Sequence, residues 1–286
     1  MEPLEYRLVE RIKKFLDEDI GYGDITSETL IPESQMAKAR LYFKEPGVVS
    51  GLEEAATVFT VLGCSVHYHA KDGERADAGK TLLSVEGSAR ALLMGERLAL
   101  NLVGRMAGIA TQTAKVVEDV SGRDYSTRVA ATRKTLPGIR EFDKRAVVHG
   151  GGDPHRFGLD DCVLIKDNHL ELVPSITEAV KRAREGISFT KMIEIEVRSL
   201  DEAVEAARAG ADIIMFDNMS SDVIEENLGK LAELGLRDGI IYEASGGITA
   251  ENAGDYAAAG VDVVSMGALT HSVRSLDVKL EIEMMR

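Results

Sequence analysis

The sequence predicts an α/β protein, an incomplete seven-stranded α/β barrel preceded by a smaller domain of mixed helices and strands. Two observations carry the barrel. Five short apolar or β-branched runs end abruptly in a charged, hydroxyl or glycine residue: CVLIKDNH (162–169), MIEIEV (192–197), ADIIMFDN (211–218), IIYEASGGI (240–248) and VDVVSMGALTH (261–271). Continuous runs of this length suit strands buried on both faces, as in a parallel sheet covered by helices. The polar residue closing each run then lies at the strand's carboxyl end, where barrels gather catalytic groups. Lys166, Glu196, Asp217, Ser245 and Gly267 are therefore expected to face one cavity.

The elements follow in order. Leu4, Leu8, Ile12, Phe15 and Leu16 recur at helical spacing, and GYGD stops that helix, with Asp24 and Thr26 suited to a turn or cap. MAKARLYF alternates like a strand, EEAATVFTVLG reads as a helix, CSVHYH as a strand, and GERADAGKTLLSVEG as two strands about a glycine turn. A long helical stretch, ARALLMGERLALNLVGRMAGIATQTAKVVEDV, then leads out of this first domain, placing its boundary near residue 107. RVAATRK and AVVHGGG are two further strand candidates, which with the five runs make seven across residues 108–271. SLDEAVEAARAG and TAENAGDYAAAG supply crossover helices. The tail, 272–286, contains LDVKLEIEMMR, which alternates like a strand and is expected to return to the first domain.

A hydrophobic fraction of 44% beside 29% charged residues reads as globular, and a formal charge of -14 argues against broad affinity for nucleic acid or acidic membranes. An anionic ligand must then be held by a local basic cluster. No apolar run is long enough to span a bilayer, and the charged amphipathic N-terminus has no signal-peptide core, so a cytoplasmic location is expected. Cys64 and Cys162 lack CxxC or CxxH partners and read as buried thiols.

Such a cluster exists. ATRKTLPGIR places Arg133 and Lys134 just after a strand, and GGGDPHR places His155 and Arg156 after three glycines. Arginine's planar fork matches carboxylate or phosphate in two-point fashion, and this concentration near Lys166 implies a ligand with several negative charges; solvated loop charges are the plain alternative. Glu196 and Asp217 end buried strands, where an unpaired carboxylate is costly; a sugar diol, Mg²⁺ or an ion pair to Lys166 would satisfy them. Glu194 shares a strand face with Glu196. SGGI and MGAL close the last two strands and offer bare N–H groups, each expected at the start of a following helix and so suited to a phosphate, with His271 just beyond. Turn glycines are the plain alternative there. His169 and Asn168 follow Lys166 closely and could line the same cavity, whereas His67 and His69 suit a solvated strand face.

In order along the chain, ATRKT-PG-R, GGG-HR-GL-D--LIKDNH, EIEV-SL, MFDN, EASGGI and GALTHSV-SLD resemble the quinolinate phosphoribosyltransferases, and LDEDIGYGDITSE and ERLALNLVGRMAGIAT extend the likeness over essentially the whole chain. The resemblance implies an N-terminal α/β sandwich before the incomplete barrel, and a homodimer whose active sites are shared across the interface. It implies that Arg97, Arg133, Lys134, His155, Arg156 and Lys166 bind quinolinate, with Arg97 reaching the partner's site. Phosphoribosyl pyrophosphate would set its 5-phosphate on Ser245, Gly246, Gly247 and Gly267, near His271. Lys134, Lys166, Glu196 and Asp217 would be catalytic, and Glu196 and Asp217 would hold Mg²⁺. Two rivals remain at this level: a barrel enzyme in which Lys166 forms a Schiff base, and a non-enzymatic binding protein for a phosphorylated metabolite.

Overall fold

A computed structural model of the chain describes residues 3–122 and 126–285. The chain divides into two compact units: residues 1–112, 148–151 and 273–286 form one, and residues 113–147 and 152–272 the other.

The first unit opens with helix α1 (Pro3–Ile20), which buries Leu8, Ile12 and Leu16 along one stripe; the side chain of Leu4 lies outside the described residues. Asp24 caps the short helix α2 (Ile25–Leu30) by accepting the Ser27 N–H at 3.0 Å. Strand β1 (Met36–Phe43) alternates as predicted, burying Ala37, Ala39, Leu41 and Phe43. There follow β2 (Gly47–Val48), α3 (Leu52–Val61), β3 (Ser65–Tyr68), β4 (Arg75–Ala76), β5 (Thr81–Ser88) and the long helix α4 (Ala89–Ser121), which belongs to this unit up to residue 112. β1 pairs antiparallel with β5, and β5 with β3, while α1 packs on α3.

The second unit comprises β6 (Arg128–Ala130), α5 (Arg140–His149) up to residue 147, β7 (Val163–Ile165), α6 (Asp167–Leu170), α7 (Ile176–Gly186), β8 (Ile193–Val197), α8 (Leu200–Ala209), β9 (Ile213–Asp217), α9 (Ser221–Glu233), β10 (Ile241–Ser245), α10 (Ala253–Ala258), β11 (Val263–Ser265) and α11 (Ala268–His271). Its six strands are all parallel, in the order β6-β11-β10-β9-β8-β7. One sheet face packs Ile193, Ile195, Val197, Ile214, Phe216, Tyr242, Ala244 and Val264 into the apolar core with the covering helices. Residues of the opposite parity, such as Glu194, Glu196, Met215 and Glu243, face the cavities described below. Serines start the crossover helices: Ser175 accepts the Glu178 N–H, and Ser199 the Glu202 N–H.

One expected strand is not a strand. AVVHGGG belongs to α5 and the turn after it, because Phe142, Ala146 and Val147 bury a helical stripe that outweighs the local β-branched run. Only Asp153 touches the sheet there, by a parallel bridge to Ala130. The chain ends in β12 (Val278–Met284), paired antiparallel with β1 at the edge of the first unit's sheet. No described helix is long and apolar enough to cross a membrane.

Candidate active site

A cavity of about 570 Å³ opens at the carboxyl ends of the parallel strands. It brings together Arg133, Lys134, His155, Arg156, Lys166, Glu196, Asp217, Ser245, Gly246 and Gly247, all singled out in the sequence. Register explains the convergence. Ser245 stands opposite Asp217 on β9 and Ser265 on β11, and the two serine hydroxyls bond at 2.9 Å. Lys166 follows β7 directly and pairs with Glu196 of β8. Asp217 accepts from the Asn218 side chain at 2.9 Å.

One cation of the cluster is left short of a partner. Arg133 has a buried Nε without a hydrogen-bond acceptor among the described residues, and burial, with the nearby charges of Arg156 and Arg140, lowers its pKa. A buried donor left unsatisfied is costly, so the arrangement suits an incoming anion. Lys134 is held by its backbone: its N–H donates to Thr132 Oγ1 at 3.1 Å, and its carbonyl accepts from Thr270 Oγ1 at 2.8 Å. That second bond brings α11 beside Lys134. A Cβ on Gly267 would stand 2.9 Å from Lys134 Cδ and 3.0 Å from His271 Cδ2.

Gly246 and Gly247 have φ of +92° and +64°, and a Cβ on Gly246 would collide with the Asn218 amide. Their turn does not open a helix directly, since α10 starts only at Ala253. The expectation of a helix start there is corrected: the N–H groups belong to a left-handed turn, itself an anion-binding shape. Gly267 does precede α11, and His271 is exposed, with Nδ1 2.7 Å from Ser272 Oγ. Arg97 is not among the residues lining this cavity; it is exposed on α4 in the first unit, where it lines a separate hollow with Arg105 and Asp277. His169 accepts the Lys166 N–H at 2.9 Å, closing the turn into α6.

A second cavity, of about 410 Å³, shares His155, Arg156 and Glu243 with the first and is also lined by Glu194; neither glutamate had an assigned role. Glu194 and Glu243 are 0% and 2% exposed, and the Oε1 atom of each lacks a hydrogen-bond partner among the described residues. His155 Nε2 lies 3.3 Å from Glu243 Oε2 and 3.8 Å from Glu194 Oε2. Burial first, then the charge of Glu243, pushes the Glu194 carboxyl up to about 8, against the opposing pull of His155 and Arg156. Burial works against a charged His155, yet the Glu243 bond and the two carboxylate charges raise its pKa overall. These three side chains offer atoms within 4.8 Å of one another, as a metal site would. However, His155 Nδ1 accepts the Arg156 N–H at 2.8 Å, which leaves a proton on Nε2 facing Glu243. A metal-bound imidazole donates through its second nitrogen, so this ring acts as a hydrogen-bond strut. Parity could have found Glu243, which lies two residues before Ser245 on the same strand face.

A parallel α/β sheet with cations, carboxylates and a glycine turn gathered at its strand ends defines an α/β enzyme built for polyanionic substrates. Comparison with known proteins makes this specific. The family model described as quinolinate phosphoribosyl transferase, N-terminal domain, matches residues 24–107, and that for the C-terminal domain matches residues 109–281. The chain belongs to the quinolinate phosphoribosyltransferase family. It is 45% identical over 275 residues to a probable nicotinate-nucleotide pyrophosphorylase [carboxylating] of Methanothermobacter thermautotrophicus, covering 96% of this chain and 99% of that protein. A protein of the same description from Methanocaldococcus jannaschii is 47% identical over 273 residues, 95% of each chain. The crystal structure of NadC from Streptococcus pyogenes superposes with a TM-score of 0.92 at 37% identity over 100% of both chains.

Proposed function

We propose that this chain transfers the phosphoribosyl group of phosphoribosyl pyrophosphate to quinolinate, releasing pyrophosphate and CO2 and leaving nicotinate mononucleotide for NAD synthesis. One observation carries the reading: Arg133, Lys134, Arg156 and Lys166 share a cavity with the carboxylates Glu196 and Asp217 and the glycine turn after Ser245. A pyridine dicarboxylate accounts for the surplus of cations, a sugar for the carboxylates, and a phosphate for the turn.

In this reading Arg133, Lys134, His155, Arg156 and Lys166 take quinolinate, joined by Arg97 from a second subunit of a homodimer. The backbone of Ser245, Gly246, Gly247 and Gly267, with His271, takes the 5-phosphate. As the bond to pyrophosphate breaks, positive charge grows at the anomeric carbon, which Glu196 and Asp217 stabilise while Lys134 offsets the leaving charge. The pyridine nitrogen attacks that carbon and becomes cationic. It then accommodates the electron pair left at C2 as CO2 departs, and a proton replaces the carboxylate. The ion pair with Glu196 already engages the Lys166 amino group, which disfavours a Schiff-base role.

Glu196 and Asp217, hard oxygen donors on neighbouring strands, fit Mg²⁺, an ion usually held by one or two carboxylates together with substrate phosphates. Held there, it would supply charge neutralisation for the departing pyrophosphate. With this function, the bridge at Asp153 stands as the seventh position of an incomplete barrel, residues 1–107 with the tail 272–286 form a sandwich domain before the catalytic 108–271, and the protein works in the cytoplasm.

Incubation with quinolinate, phosphoribosyl pyrophosphate and Mg²⁺ tests it. Release of pyrophosphate is expected with quinolinate and not with nicotinate, because loss of the C2 carboxylate leaves part of the basic cluster unpaired. Comparable turnover of the two acids would contradict the dicarboxylate assignment.

A further inference from the structure

Helix α5 carries two cations one turn apart that none of these steps uses, and both grip the loop bearing His155 and Arg156. Lys144 is fully buried. Its ammonium donates to the Pro154 carbonyl and, at 3.1 Å, to the Arg156 carbonyl, with the Phe157 ring centroid 5.8 Å away. Arg140 donates to the Phe157 carbonyl at 2.9 Å and to Thr135 Oγ1 at 3.1 Å, which ties the loop carrying Arg133 and Lys134 to the same helix.

Taking an ammonium out of water is costly, and an apolar side chain of similar volume would fill the space more cheaply. A buried lysine spent on two backbone carbonyls therefore marks a loop whose shape must be held. Between those carbonyls His155 adopts a φ of +52°, a region that residues other than glycine seldom occupy. That turn lets His155 Nδ1 accept the Arg156 N–H and points the imidazole at Glu243. Arg156 then lines the cavity.

We propose that Lys144 is a positioning residue for anion binding: by holding the carbonyls of Pro154 and Arg156 it maintains the left-handed turn at His155 and aims the Arg156 guanidinium into the cavity. The identity of the anion rests on the functional reading above; the holding of the loop does not. Burial and Arg140 draw the Lys144 pKa down to about 8 against Asp153 and Asp161, with Arg133 adding to the decrease. The ammonium is thus charged at neutral pH, with donors for both carbonyls.

The test compares wild type with Lys144→Met and Lys144→Gln by thermal unfolding, steady-state kinetics and amide hydrogen exchange. In each folded variant the KM for quinolinate should rise at least tenfold, while that for phosphoribosyl pyrophosphate changes less than twofold. Amides of residues 155–158 should exchange at least tenfold faster, with those of β8, β9 and β10 unchanged. Unaltered quinolinate KM and unaltered loop exchange in a folded variant would overturn the proposal. Failure of both variants to fold would do so too, by assigning Lys144 to the core. Should wild type not turn over quinolinate, the functional reading fails on its own, and loop exchange still decides the role of Lys144.

Discussion

Lys166 and Glu196, at the carboxyl ends of the paired strands β7 and β8, form an ion pair at the mouth of the cavity. The glutamate side chain is 12% exposed and the lysine side chain 43%, so the pair is anchored on its acidic partner. Neither charge can be removed without changing what the other presents to substrate. Lys166→Ala and Glu196→Gln should each lower kcat/KM at least a hundredfold, and the double variant should be little worse than the poorer single one, because residues acting as a unit are not additive. Multiplicative losses in that cycle would show two independent roles.

Arg133 and Arg156 should govern quinolinate affinity. Each would lose charge-assisted contacts worth about 1.5 to 3 kcal/mol on truncation to alanine, or roughly ten- to hundredfold in dissociation constant. Calorimetric titration of both variants checks this; unchanged affinity in both would remove them from the site.

Glu194 should make stability depend on pH in an unusual direction for a carboxylate. Its folded pKa is raised from 4.5 to about 8, so the folded state favours the protonated acid. The stabilisation is complete below the unfolded value and is lost as pH rises through the folded one, by roughly a few kcal/mol. Glu194→Gln keeps the neutral shape. Its melting temperature should gain on wild type steadily between pH 5 and pH 8, as roughly the span of that titration. A difference that stays flat with pH would mean that Glu194 is ionised throughout.

Five of the six parallel strands were legible because each is a short apolar run closed abruptly by a charged, hydroxyl or glycine residue, and that punctuation also located Lys166, Glu196, Asp217 and Ser245; the sixth, β6, was read from RVAATRK. Residues 146–152 misled because Ala146, Val147 and Val148 resemble a strand when Phe142 is left out of the window. Glu243 sits mid-strand in an apolar run, where only parity with Ser245 reveals its face. The grip of Lys144 on Pro154 and Arg156 joins a helix to a loop, and no local spacing announces such a contact.

Arg97 lies on α4 in the first unit, whereas the strand-end cavity is lined by the second. If it completes the site of a partner subunit in an isologous dimer, complementation follows. Arg97→Ala and Lys166→Ala homodimers should each be nearly inactive, while mixed dimers hold one intact site. With random pairing, roughly a quarter of wild-type activity should return on co-expression. No recovery despite verified mixing would place Arg97 outside any shared site.

One cavity is proposed both to transfer the phosphoribosyl group and to expel the C2 carboxylate. Quinolinate labelled in that carboxylate, turned over with phosphoribosyl pyrophosphate and Mg²⁺, should release labelled CO2 and pyrophosphate in equal amounts, with no label left in the nucleotide. Pyrophosphate release with the label retained in a dicarboxylate nucleotide, or label released without pyrophosphate, would contradict it.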